Sequence, residues 1–132
     1  MSQAPVKHIR TPLALVRGRG AARSGTGHFW RQRLTAVANI PLTIAAIVII
    51  VMLLGRNQAA AAQILGTPLV AIIMLLFIAS ITTHMRIGMQ VIIEDYVHGD
   101  MAKLTLVVVN FFFAATVGLI SAYGLLKLSF GL

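Results

Sequence analysis

The chain has 132 residues, of which 58% are hydrophobic and only 11% are charged. A soluble domain of this length cannot bury so many apolar side chains, so the composition predicts a protein that is embedded in a lipid bilayer. Cysteine is absent from the sequence, which excludes disulfides, thiolate zinc sites and cysteine-ligated iron–sulfur clusters carried by this chain alone.

The formal net charge of +8 is concentrated at the N-terminus. Seven of the eleven basic residues precede the first apolar stretch: Lys7, Arg10, Arg17, Arg19, Arg23, Arg31 and Arg33. We interpret residues 1–32 as a retained basic tail beside a membrane. A basic tail next to apolar stretches is a topology signal, so no nucleic-acid partner is predicted.

Three uncharged or nearly uncharged stretches follow the tail. Each is long enough, at about 1.5 Å per residue, to cross a hydrocarbon core of roughly 30 Å as a helix. We predict transmembrane helices over about residues 34–54, 65–93 and 104–126, with a short loop over residues 55–63. The predicted fold class is therefore all-α, with residues 33–128 forming a three-helix membrane bundle.

The distribution of basic residues predicts the orientation. Eight of them lie before residue 34 or in the loop over residues 94–103, whereas two lie in the first loop and at the C-terminus. Because loops with many Lys and Arg residues stay in the cytoplasm, we expect a cytoplasmic N-terminus.

His84 is the most informative residue, because an ionisable side chain deep in an apolar stretch is costly and marks a candidate functional site. Gly88, four residues further on, shares its helix face and has no side chain, so a large planar ligand such as haem fits the pattern. The simpler interpretation is a neutral histidine that hydrogen-bonds a neighbouring helix. A haem with two axial histidines would need its second ligand from another subunit, because His84 is the one histidine of this sequence at membrane depth.

Asp95 and Tyr96 are the second pair of candidates. Asp95 is eleven residues after His84, which at about 100° per residue returns it to nearly the same helix face. Tyr96 offers a neutral phenolic donor near the cytoplasmic interface, where the head of a quinone can lie while its tail stays in lipid. An ordinary interfacial tyrosine and a solvated carboxylate are the alternatives for these two residues.

The segment from His84 to His98 resembles the signature of a known family. It has a histidine, three residues, a glycine and then Asp95-Tyr96, and this spacing closely resembles the D-type hydrophobic membrane-anchor subunit of succinate dehydrogenase, of the cytochrome b556 family. Gly27-His28-Phe29-Trp30 and Arg33-Leu34-Thr35-Ala36 are similar to the start of the first helix in alphaproteobacterial members. The resemblance covers about residues 25–126.

The resemblance implies a part in respiratory complex II, which links the tricarboxylic acid cycle to the respiratory chain. His84 would be an axial iron ligand of a b-type haem shared with a C-type cytochrome b anchor subunit. Tyr96, with Asp95, would belong to the ubiquinone-reduction site, and Arg33 would lie near the haem propionates. Flavin and iron–sulfur clusters would be held by the flavoprotein and iron–sulfur subunits, and the location would be the bacterial inner membrane.

Two other hypotheses remain open from the sequence. In one, the chain is a haem-free carrier or assembly factor in which His84, Arg86 and Asp95 form a proton relay. In the other it is a purely structural membrane protein, in which the same residues only hold helices together. A visible absorption spectrum separates the haem hypothesis from both.

Overall fold

The computed structural model describes residues 25–131, and residues 1–24 of the predicted tail lie outside the described residues. The described chain is helical and contains α1 (Gly25–Leu53), α2 (Gln58–Gly66), α3 (Pro68–Tyr96) and α4 (Asp100–Ser129). The helices α1, α3 and α4 are long and apolar enough to span a membrane. The predicted all-α class and the three membrane-spanning helices are thus confirmed.

The first helix begins at Gly25, not at residue 34 as predicted, so residues 25–32 of the predicted tail are helical. Hydropathy detects only the part of a helix that lies in hydrocarbon, whereas the helix continues into the polar interface. Pro41 lies inside α1. The helix ends before Gly55, whose φ of 72° belongs to the left-handed region that glycine adopts without strain.

The predicted loop over residues 55–63 is wrong, because most of it forms α2. The side chain of Asn57 accepts a hydrogen bond of 2.9 Å from the backbone N–H of Ala60, and so caps the N-terminus of this helix. Ala59 to Ala62 follow, and alanine has the highest helix propensity of all residues. A capped alanine run is sufficient to form this short helix.

Of the other two long helices, α3 is shifted by three residues from its predicted bounds, and α4 extends past its predicted bounds at both ends. Pro68 starts α3 at a position where its missing N–H costs nothing, and the helix continues three residues past residue 93 to Tyr96. Asp100 starts α4 with a favourable negative charge in its first turn, and Lys127 lies in its last turn. The loop between α3 and α4 is therefore only residues 97–99.

The central element is α3, which packs against α1 on one side and α4 on the other. The short α2 packs against α4 and α3, while α1 and α4 scarcely contact each other. Gly66 of α2 lies beside the end of α4, and a Cβ there would be in ordinary van der Waals contact, 3.6 Å, with the backbone oxygen of Leu128.

Very little of the apolar surface is buried within the described chain. In the most apolar windows of α1, α3 and α4, 11%, 6% and 6% of the residues are buried. Phe111, Phe112 and Phe113 of α4 are all exposed. These surfaces must face lipid or another membrane protein, because exposing apolar patches of this extent to water is energetically unfavourable.

Candidate functional site

His84 lies near the middle of α3, on the side that packs against α1. It is residue 17 of the 29 residues of the helix, counted from Pro68. It precedes Tyr96, the last residue of the helix, by twelve positions, or about 18 Å along the helix axis. A half-buried histidine thus lies at the depth of the hydrocarbon core.

A polar seam connects α1 to α3 at this depth. Nδ1 of His84 lies 3.2 Å from the hydroxyl oxygen of Thr35. One turn away, the Ser80 hydroxyl donates a hydrogen bond of 3.4 Å to the backbone oxygen of Thr35. Thr35 therefore contacts α3 through both its side chain and its carbonyl group.

Gly88 is where α1 approaches α3 on the other side of His84. A Cβ atom at Gly88 would lie 3.4 Å from Nε2 of Gln32, so the amide of Gln32 lies where a larger residue would place its side chain. The buried Oε1 of Gln32 has no hydrogen-bond partner among residues 25–131. Gly88 thus lets α1 pack closely, and its contact with a cofactor stays a prediction.

The second ring nitrogen of His84 is left for a ligand. The hydrogen bond to Thr35 is at Nδ1, and Nε2 has no partner in the part of the chain that the structure describes. Residues 25–131 also contain no group of three histidine or acidic side chains that could hold a metal ion. The donor set is compatible with a haem, whose porphyrin would supply four iron ligands, so that His84 would need to supply only one more.

A groove lies between α1 and α3, on the Tyr96 side of His84. It has a volume of about 400 Å³ and is lined by His28, Phe29, Gln32, Arg33, Ile87 and Val91. The guanidinium of Arg33 lies 4.5 Å from the centre of the Phe29 ring. Arg33 therefore lies along the same helix interface as His84, nearer the predicted cytoplasmic end.

Asp95 and Tyr96 form the last two residues of α3 and are both exposed, with 77% of Tyr96 accessible. Because α3 is continuous, Asp95 lies about 20° around the axis from His84 and about 16 Å along it. Their carboxylate and phenol are available to a ligand or partner at the membrane interface.

Arg86 lies on a different side of α3. Its guanidinium is 5.4 Å from the centre of the Phe111 ring of α4. Asn110 of α4 donates a hydrogen bond of 2.9 Å to the Arg86 backbone oxygen, as expected for an interhelical polar residue. His84 faces α1, Arg86 faces α4 and Asp95 is about 16 Å away. The structure therefore does not bring together the three residues of the hypothetical proton relay.

Sequence reasoning missed Gln32, Thr35 and Ser80 as parts of the site. Gln32 and Thr35 are three residues apart at the start of α1, and Ser80, His84 and Gly88 are four apart on α3. Residues at these spacings share a helix face. The polar face of α1 and the polar face of α3 could therefore have been matched from the sequence to predict that these residues meet.

The helices and the histidine together define an all-α, multi-pass membrane protein with one candidate axial ligand inside the membrane. Residues 7–119 match the family model for the succinate dehydrogenase/fumarate reductase transmembrane subunit. The chain belongs to this family, which confirms the resemblance found in the sequence.

Three curated relatives support this assignment. The succinate dehydrogenase hydrophobic membrane anchor subunit of Paracoccus denitrificans is 28% identical over 92% of this chain and 93% of its own length. The corresponding subunit of Rickettsia bellii (strain RML369-C) is 28% identical over 76% of this chain and 80% of its own. The succinate dehydrogenase membrane anchor subunit of Reclinomonas americana is 31% identical over 62% of this chain and 71% of its own length. No solved structure matches the chain.

Proposed function

We propose that this chain is the hydrophobic membrane-anchor subunit of a succinate dehydrogenase, that His84 is an axial ligand of a b-type haem, and that Tyr96 and Asp95 contribute to ubiquinone reduction. The observation that carries the proposal is Nε2 of His84, which has no partner among the described residues and lies in the middle of a membrane-spanning helix. The family match and the names of the three relatives support the assignment to succinate dehydrogenase.

The proposed functional residues lie at two depths in the membrane, one near His84 and one near Tyr96. A bound haem would supply a one-electron redox centre at His84. Thr35 holds the ring from α1, and Arg33 offers a positive charge along the same groove for the haem propionates. About 18 Å along the same helix, the Tyr96 phenol donates a hydrogen bond to a quinone carbonyl, and Asp95 provides a carboxylate beside it.

The partners follow from what this chain lacks. It has no cysteine for an iron–sulfur cluster, so those clusters would be held by an iron–sulfur subunit. The flavin would be held by a flavoprotein subunit, as the family resemblance implies. A C-type cytochrome b anchor subunit would supply the second histidine that holds the haem, and would cover part of the apolar surface that is exposed in this chain. We place the complex in the bacterial inner membrane with the N-terminus of this chain in the cytoplasm, as the basic residues favour.

The proposal is tested by purifying a tagged chain from its native membrane in mild detergent. We expect a flavoprotein, an iron–sulfur protein and a second anchor subunit to co-purify, together with a b-type absorption spectrum and succinate:ubiquinone reductase activity. Purification of the chain without these subunits, or of a colourless complex, contradicts the proposal.

A further inference from the structure

We infer that Thr35 is the positioning residue that sets the tautomer of His84, placing the proton on Nδ1 and the lone pair on Nε2. This inference rests on the proposed function of His84 as an iron ligand. It assigns to a threonine on α1 the task of orienting and activating a ligand that lies on α3.

The hydroxyl of Thr35 has only one hydrogen to donate. Its Oγ1 lies 2.8 Å from the backbone oxygen of Arg31 and 3.1 Å from that of Gln32, which are the carbonyls one turn before it in α1. Both distances are shorter than the 3.2 Å to Nδ1 of His84. The hydrogen is therefore engaged with the helix backbone, and the hydroxyl presents a lone pair to His84.

The hydrogen of the Thr35–His84 contact must then come from the imidazole. With Nδ1 as donor, the neutral ring carries its lone pair on Nε2, the atom that has no partner among the described residues. The opposite tautomer would place a hydrogen on Nε2 and exclude iron from it. A donor bond from the far nitrogen of a ligating histidine fixes its tautomer and ring plane and raises its basicity.

The threonine is itself held rigidly. A β-branched side chain in a helix has few rotamers, and bonding of Oγ1 to the preceding turn selects one of them. The Ser80 hydroxyl donates to the backbone oxygen of Thr35 and fixes the level of α1 against α3. The hydroxyl is therefore held by its bonds to the α1 backbone, and the Ser80 bond to the Thr35 carbonyl links the two helices at this level, independently of His84.

The test compares complexes purified with Thr35→Val, Thr35→Ser and, as a matched control, Thr105→Val. Valine keeps the shape but has no acceptor, serine keeps the hydroxyl, and the hydroxyl of Thr105 bonds only the Met101 carbonyl of its own helix at 2.8 Å. Haem content, the electron paramagnetic resonance g-values and the midpoint potential are measured for each complex.

We expect Thr35→Val to raise the midpoint potential, because a less basic imidazole stabilises ferric iron less. A change of up to about tenfold in the ferric-to-ferrous ratio corresponds to about 59 mV for one electron. The g-values should shift as the ring plane loses its restraint. Thr35→Ser and Thr105→Val should behave like the parental complex.

An unchanged potential and unchanged g-values in Thr35→Val overturn the inference, as does a Thr35→Ser complex that shifts as much as Thr35→Val. If the valine complex does not assemble, Thr35→Ala gives the same comparison with less bulk at the interface. The failure of the inference is distinct from that of the proposed function. A parental haem spectrum in His84→Ala contradicts the proposed function, whereas a spectrum that depends on His84 but not on Thr35 contradicts only this inference.

Discussion

Gly88 of α3 faces the Gln32 side chain of α1, and a Cβ atom at Gly88 would lie 3.4 Å from the amide nitrogen Nε2 of Gln32. That distance is just within ordinary contact, and the amide is the flexible end of its side chain. A methyl group is thus accommodated by a small shift of Gln32, whereas a branched side chain is not.

We therefore predict that Gly88→Ala assembles normally and that Gly88→Leu destabilises the α1–α3 interface by about 1 to 3 kcal/mol, the usual cost of overpacking. Thermal unfolding of the purified complex measures the difference. Gly124→Leu is the control, because a Cβ at Gly124 meets no other atom of residues 25–131 within 4 Å, apart from its chain neighbours and its own helix backbone. Equal melting temperatures for Gly88→Leu and the parental complex would show that Gly88 is not a close-packing position.

His84→Ala should abolish or strongly alter the b-type absorption spectrum, because the proposed haem iron would lose one of its protein ligands. Loss of a cofactor that ties two subunits together should also reduce the stability of the assembled complex. His98→Ala is the matched control, since this histidine is exposed in the loop that follows α3. An unchanged spectrum and potential in His84→Ala would contradict its assignment as an axial ligand.

Tyr96→Phe keeps the ring and removes one hydroxyl, so it tests the hydrogen bond to the quinone. An acceptor left without its donor costs about 1 to 3 kcal/mol, or roughly tenfold to a hundredfold in quinone reduction. Succinate oxidation with artificial acceptors and the haem spectrum should be retained, because the complex still assembles.

Tyr123→Phe provides the control for this experiment. Tyr123 is 68% exposed and lies near the other end of the membrane-spanning region, in α4. An interfacial tyrosine tolerates phenylalanine, so Tyr123→Phe should reduce ubiquinone at the parental rate. The same result for Tyr96→Phe would leave Tyr96 as an interfacial residue with no part in quinone binding.

The orientation is tested by labelling single cysteines in intact cells with a reagent that does not cross the membrane. The first reporter cysteine replaces Gln58, which is exposed at the start of α2, because the neighbouring Asn57 is needed as the cap of that helix. The second reporter replaces Gly99, between α3 and α4. Because the native chain has no cysteine, the background is low. We expect labelling at residue 58 and protection at residue 99. The reverse pattern would show that the N-terminus lies outside the cytoplasm.

The sequence was sufficient to predict the number of membrane-spanning helices and the position of His84 within one of them. Length and hydropathy determine the part of a helix that lies in hydrocarbon, but they do not register its extension into the interface. This is why residues 25–32 were assigned to the tail. The helix α2 was missed because its alanine run is short and its cap, Asn57, also fits a turn.

The contact between Thr35 and His84 could not be predicted from either helix alone. It depends on how far α1 is rotated and shifted against α3, which follows from packing along the whole interface. The back-bonded hydroxyls of Thr82 and Thr83 and the interhelical hydrogen bond of Asn110, in contrast, each follow from residue type within an apolar helix. Orientation, haem ligation and quinone binding stay predictions.

The continuity of α3 from His84 to Tyr96 fixes both the distance and the angle between His84 and Asp95. Along an α-helix, each residue adds about 1.5 Å and about 100° of rotation. One residue inserted between His84 and Asp95 would lengthen their separation only slightly, yet it would turn Asp95 by more than a quarter of a circle. An insertion or deletion between these two residues would therefore turn them to different faces of α3, whereas a change in the length of the junction between α1 and α2 would leave their distance and angle unchanged.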